Sequence, residues 1–480
     1  MSLKRRDLML GASLATALPM LPVQARSQGA VPPPPSGFES PPEAPPAPAV
    51  ASLNLQQARL PNGLRLLVLP RPGAVRTSLR LIGAGGWLKD PAGREGLAEV
   101  ALTLLAQGAS RGDETMDSAD IAYASDLLGR PLRLDLSPAS AEIALEALPD
   151  QCDDAVSLMA DLVGAPTLTF EALEHVRGRA QDALLLRRAD AEQLAPWAGR
   201  RLFWGGAYPL ASAGTLKRLK RDEVQAFHRL YWRPDHTQLL LCGDLSMDTA
   251  RDLAQDLFED WRAPKPAPAT LTTRIAEAAV AAAAQPPAVA RMIPLPRATG
   301  CCVVLQTAVP RSTPAALRAL ARHLMQERLL DSLPWAWRSD MEAPGGPACW
   351  RLSLSLPPEA VPELLAQARE HLPRLAAEAV TPDDLALAQA LALGEWQSRL
   401  VSAPDALLAD AIGQGDLDDT LQWPQRLRAV SAPVLQLLMG SCWRESGTQV
   451  LLVGEAGAPE PLQRAWPGLA VVRMSAVIGE

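Results

Sequence analysis

The stretch Leu60 to Ser110 decides the fold. It opens LPNGLRLLVLPRPG (60–73) and, past a second apolar run, continues GAGGWLKDPAGREGLAEVALTLLAQGAS (83–110). Asn62-Gly63 is a turn dipeptide between apolar runs. Leu64–Leu69 partly alternates and reads as a strand, and Val75–Ile82 reads as a second. Gly83, Gly85 and Gly86 mark a turn at the end of that strand, leading into Trp87 and Leu88 rather than into a helix. A helical pattern starts near Gly93 and runs to about Gln107. Leu97, Val100, Ala101, Leu104 and Leu105 form its core stripe, and Gly108 stops it.

C-terminal to this stretch the pattern predicts helices at 116–128, 140–162 and 170–190. HTQLLLCGD (236–244) reads as a buried strand, and 246–261 as a helix. Composition then shifts to APKPAPATLTTRIAEAAVAAAAQPPAVA (263–290), rich in Ala and Pro with little patterning, which places a linker at 265–288. Beyond it, Cys302–Ala308 and Cys349–Leu356 read as strands. Residues 313–330, 357–376 and 381–398 read as helices. Gln449–Val453 mirrors 237–241, since both runs end in a Gly-acid pair, Gly243-Asp244 and Gly454-Glu455. This is a weak repeat of element order, and mixed strands and helices in each half indicate an α+β fold.

The chain has 480 residues, 48% of them hydrophobic, enough for a large core and long enough for more than one domain. A net charge of -7, with no basic or acidic tail, argues against a nucleic-acid binder. None of the six cysteines forms a CxxC pair, and the adjacent Cys301 and Cys302 do not suit tetrahedral zinc. Most are expected to be small buried apolar residues.

The N-terminus reads as an export signal over 1–25. Lys4, Arg5 and Arg6 precede an apolar run too short to span a membrane, and Val23-Gln-Ala25 is a plausible cleavage site. Arg5 and Arg6 followed by Asp7-Leu8-Met9 resemble a twin-arginine signal. Residues 26–50 are Pro-rich and read as an extended spacer. These features predict a periplasmic or otherwise exported protein without a transmembrane anchor once the signal is removed.

The stretch 60–110, together with YPLASAGTLKRLKRDEVQAFHRLYWRPDHTQLLLCGDL at 208–245, resembles the N-terminal domain of M16 (insulinase, pitrilysin and processing-peptidase) zinc proteases. With the duplicated second half, the resemblance covers about 50–475. It implies two homologous M16-like domains, 51–264 and 289–480. Each would be an antiparallel-rich mixed sheet packed with helices, together making half of a clamshell. Active members carry an inverted HxxEH motif: two histidines on one helix face bind zinc, and the glutamate acts as general base. Aligned on Gly96-Leu97-Ala98, those positions hold Glu99, Leu102 and Thr103. The later glutamate ligand falls near 176–186, where Asp182 is the only acid. The resemblance therefore implies no catalytic residues, no metal and no cofactor in this chain, with zinc expected only in a partner subunit.

Of the five histidines, His175, His228, His236, His323 and His371, no pair stands four apart. His323 and Glu327 do, a spacing typical of a surface contact. No GxSxG elbow, Walker loop or GxGxxG after a strand occurs. In the family's second domain an arginine and a tyrosine hold substrate near zinc. Here LPWAWR (333–338) stands roughly in that place, with Trp335 at the tyrosine position. Arg338 and Arg351 are candidate peptide contacts. Gly345 and Gly346 resemble the glycine-rich loop with which the non-catalytic partner of the mitochondrial processing enzyme handles substrate. The function implied is an exported non-catalytic subunit that pairs with an active M16 chain carrying HxxEH and helps enclose a chamber for peptide or unfolded polypeptide. The alternatives are an independent peptide-binding or scaffold protein, and an active metalloendopeptidase with a divergent site.

Overall fold

Two six-stranded mixed sheets form the frame. The structure, a computed structural model, describes residues 53–263, 288–296, 298–344 and 348–479. The signal segment with Arg5 and Arg6, the spacer 26–50, nearly all of the linker 265–288, and Gly345 and Gly346 lie outside the described residues. From Val50 onward the chain forms one compact unit.

The first sheet has the order β1-β2-β8-β3-β7-β6 and the second β11-β12-β10-β13-β9-β14. In the first, β2 (Arg65–Pro70) runs parallel to β8 (Thr237–Gly243), which is antiparallel to β3 (Thr77–Gly83). In turn β3 pairs antiparallel with β7 (Ala141–Ala147), and β7 with β6 (Arg133–Leu136). The second repeats this: β9 (Ala290–Pro294) is parallel to β13 (Gln449–Gly454), which is antiparallel to β10 (Cys301–Val309). Then follow β12 (Ala348–Leu356) and β11 (Arg338–Glu342), both antiparallel. Only the edges differ. β1 (Gln56–Arg59) is antiparallel to β2, whereas β14 (Leu469–Val471) is parallel to β9. A small hairpin, β4 (Gly108–Arg111) with β5 (Glu114–Asp117), stands apart.

The Asn62-Gly63 turn joins β1 to β2 as expected. Gly63 has φ 99°, and Asn62 bridges outward, its Nδ2 donating to the Phe258 carbonyl at 2.8 Å. One expectation fails: 140–162 is not a single helix. Residues 141–147 are β7, and the helix is confined to Cys152–Gly164. AEIALEA is rich in helix formers, but Ala141, Ile143, Leu145 and Ala147 are buried, and pairing with β3 along its whole length outweighs local propensity. Pro149 then separates strand from helix.

Each sheet is covered on both faces, so its central strands read as continuous apolar runs. On one face of the first sheet Leu66, Val68, Leu79, Leu81, Leu239 and Leu241 meet helices of the same half. On the other, Leu67, Leu69, Ile82 and Leu240 meet Leu408 and Ile412 of the helix Pro404–Gln414, which comes from the second half. The second sheet is the reciprocal case. Val303, Leu305 and Leu452 face their own half's helices, while Val304, Leu451 and Val453 share a cluster with Leu194 and Ala198 of the helix Ala191–Trp204, from the first half. Both exchanged helices follow a long helix after a one-residue break. Asp190 ends Phe170–Ala189 and its side chain caps the next helix, while Ala403 holds the same junction position after Pro382–Ser402 without a side-chain cap. The first half therefore lends its roof to the second sheet, and the second returns the exchange.

Candidate functional site

The motif helix is Leu97–Leu105, four residues shorter at its start than the pattern suggests. Gly96 explains the late start. It has φ 98° and its backbone lies so close to Leu216 that a Cβ would meet Leu216 Cδ2 at 2.8 Å, so only glycine suits this entry. Asp90 supplies the cap from a distance. Its Oδ2 accepts from the Gly96 N–H and its Oδ1 from the Ala98 N–H, both at 2.7 Å. Asp90 is buried, and burial pushes its carboxyl up to about 8 despite the two donated N–H bonds. Thr215 Oγ1 donates to the Glu95 carbonyl at 3.0 Å and Arg94 pairs with Glu223 at 2.6 Å, so the loop before the helix is fastened to the segment 213–231.

The three motif positions point to different environments. Glu99 is exposed, Leu102 is 4% exposed and packed in the core, and Thr103 is half-buried, with Oγ1 donating to the Glu99 carbonyl at 2.8 Å. Positions 99 and 103 still share a face at i,i+4. On the packed neighbouring helix Phe170–Ala189, Val176 and Leu184 are buried and Asp182 is exposed. Among the described residues no group of three or more His, Cys, Asp or Glu is placed to hold a metal ion. One exposed carboxylate, an apolar core residue and a hydroxyl committed to its own helix do not fit zinc, which needs three or four N, S or O donors. No hydrolytic step is available at this place, since Leu102 cannot move a proton.

A cleft of about 820 Å³ opens where the two halves face each other. Buried charge lines it. On the first-sheet side Arg80 is flanked by Glu142 and by Asp405 of the exchanged helix, with Nε donating to Asp405 Oδ2 at 2.8 Å. Ser78 Oγ donates to the same oxygen at 2.6 Å. On the second-sheet side Glu342 lies between Arg200 of the other exchanged helix, at 2.8 Å, and Arg351 at 3.5 Å. Gln306 Nε2 bridges to the Gly199 carbonyl at 2.8 Å and to Gln449 Oε1 at 2.9 Å. Tyr208 packs against Trp87 and Trp204, with ring centroids at 4.8 and 5.2 Å, and burial with the nearby Glu342 charge raises its phenol.

Of the candidate peptide contacts, Arg351 is buried in this network and only 5% exposed. Arg338 is exposed on β11 beside Asp340, and Trp335 is half-buried with Nε1 donating to Gln367 Oε1 at 2.8 Å. The structure does not bring the three together. His323 turns from Glu327 to Glu395, at 3.0 Å. All six cysteines are buried and unpaired; burial pushes Cys301 and Cys349 up to about 12.

A family model described as the peptidase M16 inactive domain matches residues 218–391. Over that segment the chain carries a non-catalytic M16-like domain. It is 26% identical over 207 residues to the non-peptidase homologue YmxG of Helicobacter pylori, covering 42% of this chain and 46% of that protein. The match thus spans less than half the length of that curated relative. Among solved structures it resembles a peptidase M16 inactive domain from Pseudomonas fluorescens, with TM-score 0.70, 18% identity and coverage of 85% of this chain and 100% of that one. It also resembles the first half of the periplasmic protease PqqL from Escherichia coli, with TM-score 0.64, 13% identity and coverage of 90% and 98%; the match takes in 51% of the complete protease. The fold is thus that of M16-like domains. Sequence reading missed Asp90, because its capped helix begins seven residues later. It missed Arg200 and Glu342 because their pairing joins positions 142 residues apart.

Proposed function

We propose that this M16 chain is an exported, non-catalytic subunit that pairs with an active M16 chain bearing HxxEH and helps enclose its peptide chamber. The observation that carries the proposal is the motif helix. Its capped entry and packing are kept, while the zinc-ligand and base positions hold Glu99, Leu102 and Thr103. A framework maintained without its chemistry suits a supporting half better than an enzyme. Size adds support, since the chain superposes on about half of the complete periplasmic protease PqqL. Arg5 and Arg6 favour export by the twin-arginine route, which carries folded proteins.

The test is co-purification of the tagged full chain from its native host. The expected result is an M16 chain with intact HxxEH in near-equal amount, with chelator-sensitive peptidase activity in the complex and none in this chain alone. Stoichiometric zinc and peptidase activity in the isolated chain would overturn the proposal, as would recovery with no such partner. Changing Arg5 and Arg6 to Lys should leave the protein in the cytoplasm; unchanged export removes the twin-arginine part.

A further inference from the structure

A second cavity, of about 220 Å³, lies between the helices Ala315–Ser332, Pro382–Ser402 and Pro404–Gln414. Trp396, Trp423 and Leu407 give it apolar walls, and seven charged side chains also line it. Most of these are already matched. Glu395 is held by Arg322 and by His323 at 3.0 Å, and with those partners its carboxyl falls to about 2. Arg399 pairs with Asp410, and Asp419 with Arg426 at 3.1 Å. Removing the matched charges leaves one of each sign, Arg318 and Asp416.

These two do not pair with each other. Arg318 Nη1 donates only to the Thr313 carbonyl, at 3.0 Å, and the Asp416 carboxylate has no ion-pair partner among the described residues. Burial lowers Arg318 and raises Asp416 from their ordinary values, and the attraction between the two across the cavity offsets only part of each shift, so a zwitterion set between them would relieve the rest. The indole N–H of Trp396, a residue 5% exposed, has no acceptor among the described residues. Arg318 and Asp416 also line the central cleft, so the cavity opens toward it at the unmatched pair.

We propose that this cavity is a binding site for a free apolar α-amino acid, its carboxylate taken by Arg318, its ammonium by Asp416, and its side chain set against Trp396, Trp423 and Leu407. Arg318 can meet a carboxylate with two parallel N–H bonds. The volume lies below the roughly 300–1,000 Å³ of pockets for drug-sized ligands, which suits a single residue. The inference goes beyond the pairing proposal, because the cavity lies inside one chain and its occupancy needs no partner.

Calorimetric titration of the full chain with L-leucine, N-acetyl-L-leucine and L-leucinamide tests it, with tryptophan fluorescence as a second readout. The expected result is saturable binding of leucine, at least about tenfold weaker binding of both blocked forms, and a fluorescence change that saturates in parallel. Arg318→Gln and Asp416→Asn should each weaken leucine binding about tenfold or more with the circular dichroism spectrum unchanged. The blocked-ligand comparison needs no variant, so a variant that misfolds leaves the test intact. Binding of either blocked form as tightly as leucine, or no saturable binding of leucine, phenylalanine or methionine, overturns the proposal.

Discussion

The two sheets share a strand order and are roofed in the same exchanged way, yet the charges under the two roofs are inverted. Beneath Pro404–Gln414 one arginine, Arg80, sits between two carboxylates, Glu142 and Asp405. Beneath Ala191–Trp204 one carboxylate, Glu342, sits between two arginines, Arg200 and Arg351. The difference teaches that the repeat preserves how elements pack and not which residues do the packing. It also shows that the halves are interdependent. Each sheet needs a helix from the other to cover its second apolar face, so neither half buries its core alone.

The first-sheet cluster is the drier of the two. The Arg80 side chain is 7% exposed, whereas Arg200 is 33% exposed. Removing one partner from a buried ion cluster leaves uncompensated charge and costs about 3–5 kcal/mol. Arg80→Met should therefore lower stability by about that amount in urea denaturation, the largest effect expected here. Arg200→Met should cost less, about 1–3 kcal/mol, because Arg351 still faces Glu342 and water reaches the site. Equal losses would mean that the two roofs are held alike, and the contrast would fall.

Leu102→Glu would restore the family's base at its own position. At 4% exposure the carboxylate would enter the core, and the substitution should destabilise by about 2–4 kcal/mol without conferring zinc binding. Stability near wild type would show that this helix face is open enough to serve as a site. Asp90 gives a pH test of the same helix. Its folded carboxyl, near 8, lies above its unfolded value of about 4, so the folded state binds the extra proton between them. Its contribution is full below about pH 4 and is lost as pH rises toward 8. The urea midpoint of the wild type should therefore fall more between pH 5 and pH 8 than that of Asp90→Asn. Parallel curves would show that Asp90 is ionised throughout.

The frame was legible because its signals are local. Asn62-Gly63, the stripe from Leu97 to Leu105, the long helices and the runs before Gly243 and Gly454 each declare themselves within a few residues. The roofs were not legible. An apolar helix face says that a helix is buried and not which sheet buries it, so nothing in Leu194 or Leu408 names its distant partner. The charge clusters fail for the same reason. Arg351 reads as a surface contact until Glu342, Arg200 and Gln306 are seen around it, and Arg80 looks out of place in a strand until Asp405 arrives from 325 residues away. Residues 141–147 failed in the opposite way: their helix-forming composition is a local signal that sheet pairing overrode.

The smallest expected effect concerns the motif face itself. Glu99 is exposed, and Thr103 bonds only the carbonyl of Glu99 within its own turn. If that face carries no chemistry, Glu99→Gln and Thr103→Ala should each change stability by no more than about 0.5 kcal/mol, the usual range for surface substitutions away from caps and buried networks. Neither should alter zinc content or the recovery of a partner chain. The two outcomes separate the histories open to this helix. Neutral substitutions fit a face released from catalysis and kept only as the outer side of a packed helix. Loss of a partner on Glu99→Gln, with stability unchanged, would mean that the position once given to a zinc ligand now makes a contact between subunits, and the comparison of the two halves would then need a third surface beside the two roofs.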